Sequence, residues 1–132
     1  IMTITNGATR LTGVNHVTYN VKDKDKALRF WEDVLGIKQI PSQVQSDRII
    51  WLQLPDGTMV HLVQNEAGPS VPNHHAAFEV EDISGYREHI VSNDVEASEI
   101  TTRKDGQQEF KFYDPEGNQI EICTKSGFGI LV

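Results

Sequence analysis

At 132 residues, with 38% apolar and 23% charged side chains, the chain has the make-up of a compact domain or of two very small fused modules, not of a disordered tail. Its net charge of −7 and its 12 scattered basic residues argue against a nucleic-acid partner. No apolar run approaches the roughly 20 residues of a membrane-spanning helix, and a single cysteine, Cys123, excludes an internal disulfide and points to a reducing, cytoplasmic setting.

In chain order, the first element is an alternating strand around Val14–Asp23. Its apolar set is Val17, Tyr19 and Val21; His16, Thr18 and Asn20 take the opposite face. Asp23 then stands as a helix N-cap ahead of Ala27, Leu28, Trp31, Val34 and Leu35, which recur at helical spacing. Gly36 falls where a helix ends on a left-handed residue. Three strands follow, near residues 37–40, 48–54 and 58–64, the last two joined by the turn Pro55-Asp56-Gly57. In the closing strand Val60 and Leu62 form the apolar face, which leaves Met59, His61 and Val63 opposite. Trp51 and Gln53 share that second face. Gly68, Pro69, Ser70 and Pro72 mark a linker over residues 65–73.

The pattern then repeats, displaced by about 60 residues. A strand places Ala76, Phe78 and Val80 on one face and His75, Ala77 and Glu79 on the other. Asp82 caps a helix whose expected buried stripe is Ile83, Tyr86, Ile90 and Val91. Strands are expected near residues 96–100, 108–113 and 118–124, with Asp114-Pro115-Glu116-Gly117 as the matching turn. The repeat therefore reads as βαβββ twice, with modules over residues 13–66 and 72–124 forming one domain over 13–124.

Strand phase and repeat symmetry bring four metal-ligating residue types onto the helix-free faces: His16, His61, His75 and Glu121. Neutral imidazoles with a carboxylate suit a divalent ion (Zn, Ni, Mn, Co or Fe(II)), and two histidines with one carboxylate also form the non-haem iron set. Thr18, Asn20, Trp51, Gln53, Met59, Lys111 and Tyr113 share these faces and are the expected substrate-pocket residues. His74 is out of phase with His16, and His89 lies on the second helix, so neither joins the set. Cys123 has the phase of Glu121 but reads more simply as a small buried hydrophobe.

Four segments carry a family resemblance. They are Asn15-His16-Val17, Phe30-Trp31-Glu32-Asp33-Val34-Leu35-Gly36, His75-Ala76-Ala77-Phe78 and Asp114-Pro115-Glu116-Gly117-Asn118-Gln119-Ile120-Glu121. In these the chain resembles the glyoxalase/bleomycin-resistance/dioxygenase superfamily, the vicinal oxygen chelate proteins. The resemblance implies an α+β fold of two βαβββ modules forming an incompletely closed barrel or cup, and a homodimer. It further implies a metal held at the positions of His16, His61, His75 and Glu121, within one chain or across two. Position 61 departs from the bacterial glyoxalase I pattern, which has glutamate there. Thiol transferases and extradiol dioxygenases of the family use only the positions of His16, His75 and Glu121. The leading expectation is a metal-dependent glyoxalase-like lyase or isomerase that chelates a small oxygenated substrate, with Glu121 as ligand and base. A dioxygenase or thiol transferase, and a metal-free antibiotic-binding protein, are the alternatives.

Overall fold

The computed structural model describes residues 14–69 and 74–125. The end of the expected linker, residues 70–73, and the expected domain starts at 13 and 72 lie outside the described residues.

Strand β1 (His16–Val21) leads through Asp23 into helix α1 (Lys24–Asp33), followed by β2 (Lys38–Ile40), β3 (Ile49–Gln53) and β4 (Met59–Gln64). The second half runs β5 (His75–Glu79), α2 (Ile83–Ser92), β6 (Thr101–Thr102), β7 (Gln108–Tyr113) and β8 (Gln119–Cys123). The sheets have equivalent orders, β1-β4-β3-β2 and β5-β8-β7-β6. In each, the first strand pairs in parallel with the last and the other pairs are antiparallel. The fold is α+β, and neither four-stranded sheet closes into a barrel.

Local chemistry accounts for the boundaries. The Asp23 carboxylate accepts from the backbone N–H groups of Asp25 and Lys26, satisfying donors that the first helical turn leaves open. Asp82 does the same for Gly85 in α2. Gly36 adopts φ 78°, in the left-handed region that ends α1 at little cost for a residue without Cβ.

Two expectations need correction. The short strand expected over 96–100 is displaced: β6 occupies Thr101–Thr102, and only an isolated bridge joins Ala97 to Phe112. The Ser98 N–H still donates to the Lys111 carbonyl at 2.9 Å, and side chains take the remaining partners. The Ser98 hydroxyl accepts from the Lys111 N–H, and the Arg87 guanidinium takes the carbonyls of Ala97 and Ser98. Val91, expected in the buried stripe of α2, is exposed; Ile83 and Ile90 carry the burial.

The apolar faces of both sheets, with Ala27, Phe30 and Trp31 of α1 and Ile83 and Ile90 of α2, form one core. Polar bonds tie the halves at its edge. The Tyr19 hydroxyl accepts from the Ala76 N–H at 2.8 Å and donates to the Gln119 carbonyl at 3.3 Å. Trp31 Nε1 donates to Asp114 at 3.3 Å while its ring meets Phe78 edge-on. Asn118 Nδ2 donates to the Asn20 carbonyl, and the Glu116 carboxylate accepts from the N–H groups of Lys22 and Asp23. His89 Nε2 stands 2.7 Å from the Val34 carbonyl, so this histidine serves the seam between the two helices.

Candidate metal centre

Alternation that sends Tyr19, Val21, Val60 and Leu62 into the core puts His16, His61 and Trp51 on the other face of the first sheet. Register makes Thr18, His61 and Trp51 one row across β1, β4 and β3, and His16, Met59 and Gln53 the next. His61 is only 8% exposed, stacked between two rings: His16 at 4.1 Å and 17°, Trp51 at 4.3 Å and 8°. Its Nε2 is shut off from solvent and has no hydrogen-bond partner among the described residues. Burial, and then the neighbouring His16, push the His61 imidazole below its usual pKa, toward the neutral form that a metal ligand requires. His16 itself is exposed, and its Nδ1 lies 2.8 Å from Asn15 Oδ1. A carbonyl oxygen only accepts, so Nδ1 is the donor in this contact and Nε2 points elsewhere.

The second sheet mirrors this arrangement. His75, Gln119 and Tyr113 form one row across β5, β8 and β7, and Ala77, Glu121 and Lys111 the next. Glu121 is 4% exposed. Its Oε1 lies 3.2 Å from His75 Nε2 and 3.9 Å from Lys111 Nζ, and its Oε2 lies 3.4 Å from Arg103 Nη2. Lys111 also holds Glu109 at 3.0 Å, and the Thr101 hydroxyl donates to the same carboxylate. Burial raises the Glu109 pKa, but the bonds from Thr101 and Lys111 outweigh it and hold the group below its usual value. Burial, then Glu121 and Glu79, push the Cys123 thiol up, favouring the thiol over the thiolate.

The expected quartet thus lies in two pairs, His16 with His61 and His75 with Glu121, one pair on each sheet. Among the described residues, no group of three or more His, Cys, Asp or Glu converges on one point within the chain. The shared core gives the reason: both sheets turn their apolar faces toward it, so the faces that carry the two pairs turn away. Each pair has the donor chemistry of half a divalent-metal site, with two imidazoles on one sheet and an imidazole beside a buried carboxylate on the other.

Of the expected pocket residues, Trp51 is half-buried against His61, Thr18 is exposed, and Asn20 and Met59 are partly buried. Gln53 turns to its own hairpin, donating to the Gly57 carbonyl. Lys111 and Tyr113 line a groove of about 620 Å³ with Ser98, Thr101, Glu109 and Gln119, and Tyr113 is 58% exposed there. Sequence reasoning missed Glu109, Thr101 and Arg103. Glu109 shares the phase of Lys111 in one strand and was open to discovery by that rule. Arg103 sits on the β6–β7 hairpin, where periodicity carries no signal.

Similarity to known proteins agrees with this architecture. The metallothiol transferase FosB of Staphylococcus saprophyticus is 29% identical over 124 residues, covering 86% of this chain and 78% of that protein. A glyoxalase/dioxygenase from Nostoc punctiforme superposes with a TM-score of 0.74 at 25% identity, over 95% of this chain and 97% of that one. Lactoylglutathione lyase from Agrobacterium tumefaciens superposes with a TM-score of 0.75 at 16% identity, over 91% of this chain and 98% of that one, a likeness of fold. The model of the Glyoxalase/Bleomycin resistance protein/Dioxygenase superfamily matches residues 13–122, and the chain belongs to that superfamily.

Proposed function

We propose that two copies of this chain build a metal-dependent enzyme for a small, anionic, oxygenated substrate. Each site takes the His16 face of one copy and the His75–Glu121 face of the other. The observation that carries this reading is the split of the quartet into two outward-facing pairs, each incomplete alone. A divalent ion held there (Zn, Ni, Mn, Co or Fe(II)) supplies Lewis acidity to adjacent substrate oxygens. Arg103 and Lys111, beside Glu121, attract an anionic substrate group to the same place.

The reaction best supported is addition of a thiol to an electrophile such as a small epoxide. The sulfur–carbon bond forms, the carbon–oxygen bond opens, and the thiol proton ends on the released oxygen. Both Glu121 oxygens are engaged, one by His75 and one by Arg103, which suits a fixed ligand. The 29% identity to a metallothiol transferase points the same way. A glyoxalase-type isomerisation ranks second. It needs a carboxylate that moves a proton between neighbouring carbons, and Glu121 is the one carboxylate among the four residues.

The test is elemental analysis of untagged protein, followed by parallel assays with each metal. One assay follows thiol consumption by a phosphonate epoxide such as fosfomycin; the other follows the hemithioacetal of methylglyoxal. Thiol consumption that needs the metal is the expected result, and turnover of the hemithioacetal alone reverses the ranking. Protein that takes up none of the five metals sinks the proposal.

A further inference from the structure

His61 is the member of the quartet whose surroundings fit coordination least. Metal–imidazole bonds of about 2.0–2.1 Å run along a lone pair in the ring plane. The His16 and His61 rings are stacked at 4.1 Å and only 17° from parallel. Rings stacked in this way would not both turn an in-plane lone pair toward one ion. His61 Nε2 is also closed off from solvent, so an ion reaches it only after the ring leaves its place. Two neighbours oppose that movement. Trp51 stacks on the far side at 4.3 Å and 8°, and the backbone of β4 is fixed by strands on both sides.

The same contacts suit another role. Trp51, His61 and His16 form a column of three nearly parallel rings that rises from strand β3 across β4 to β1. His16, the exposed end of the column, has one flat face covered by His61 and its Nδ1 proton given to Asn15. Ring orientation and tautomer are then both set before any ion arrives. We infer that His61 is a positioning residue for His16 and not a metal ligand, and that Trp51 is the base of the same column. This deepens the metal-dependent reading above and rests on it for its metal measurements. Position 61 then selects the three-ligand set of His16, His75 and Glu121.

Cobalt(II) titration of the full chain, read by ligand-field absorption, separates the two roles. His61→Phe keeps an aromatic ring in the column and removes both nitrogens. It is expected to bind cobalt within about twofold of the parent with the same spectrum, whereas His61→Ala binds about fivefold or more weakly. Trp51→Leu removes no candidate ligand and is expected to weaken binding by about fivefold. Loss of about 100-fold in His61→Phe, or unchanged affinity in Trp51→Leu, overturns the inference. Circular dichroism of each variant comes first, and His61→Gln stands in if His61→Phe fails to fold: a glutamine that restores parental affinity means coordination and overturns the inference, whereas weakening like that of His61→Ala upholds it. If the parent binds no cobalt, the metal reading fails and the column is read without metal. The His16 ring proton is then expected upfield by NMR in the parent and released in His61→Ala; an unmoved signal overturns the column as well.

Discussion

Single side chains set which donor groups each sheet presents, and their phase was legible because a strand has only two faces. Residues that place Tyr19 and Leu62 in the core leave His16 and His61 no alternative face. What phase could not tell is what those groups touch: that a ring column holds His61, or that Glu121 lies between His75 and Arg103. Glu121→Gln keeps the shape and removes the charge; metal affinity should fall by about 100-fold or more in a direct titration. Tyr19 gives a prediction independent of metal. Burial, with a smaller push from Asp114, raises its pKa to about 12 against the lowering effect of the Ala76 N–H. The folded state thus favours the neutral phenol. Its contribution is complete below the ordinary value of 10.0 and is lost as pH climbs through about 12. Between pH 9 and 12 the parent should lose about 2 kcal/mol of unfolding free energy that Tyr19→Phe retains, measured in denaturant titrations.

Helices and strands were legible wherever local chemistry and periodicity agree. Asp23 and Asp82 cap the two helices as their positions imply, and the strands at Gln108–Tyr113 and Met59–Gln64 fall where alternation puts them. The miss at residues 96–100 has a specific cause. Backbone pairing there shrinks to one bridge and the Ser98–Lys111 bond, the other groups being taken by the Ser98 hydroxyl and a guanidinium from α2, and neither appears in an alternation pattern. Arg87→Ala should therefore destabilise the protein by about 0.5–1.5 kcal/mol through loss of its bonds to the Ala97 and Ser98 carbonyls. Hydrogen exchange should speed up most at Lys111 and along the Thr101–Thr102 edge. Equal acceleration over both sheets would show that Arg87 supports the whole fold and not this segment.

At the scale of the whole molecule the repeat announced two similar halves, but not which faces they turn to each other. Trp31 settles that, since it reaches from α1 to Asp114 and Phe78 of the other half. Trp31→Ala should cost about 3–5 kcal/mol in unfolding measurements, a core-sized loss from a residue at the junction. Because the ligand pairs face away from the common core, two defective copies should repair each other. His16→Ala and Glu121→Ala are each inactive alone under the proposal. Mixed in equal amounts and allowed to exchange, they should recover about one quarter of parental activity, since half the dimers carry one undamaged site. No recovery after exchange would place the whole site inside one copy.

Strand β8 has a consequence of its own. Its five residues hold Ile120 and Ile122 on the packed side and Glu121 between them on the opposite side, which the proposed site uses. A laboratory selection for heat resistance that reshapes either isoleucine must also nudge the carboxylate. Under the proposed function, durability and chemistry are yoked here by one short piece of backbone, and variants chosen for the first should arrive with the second already altered.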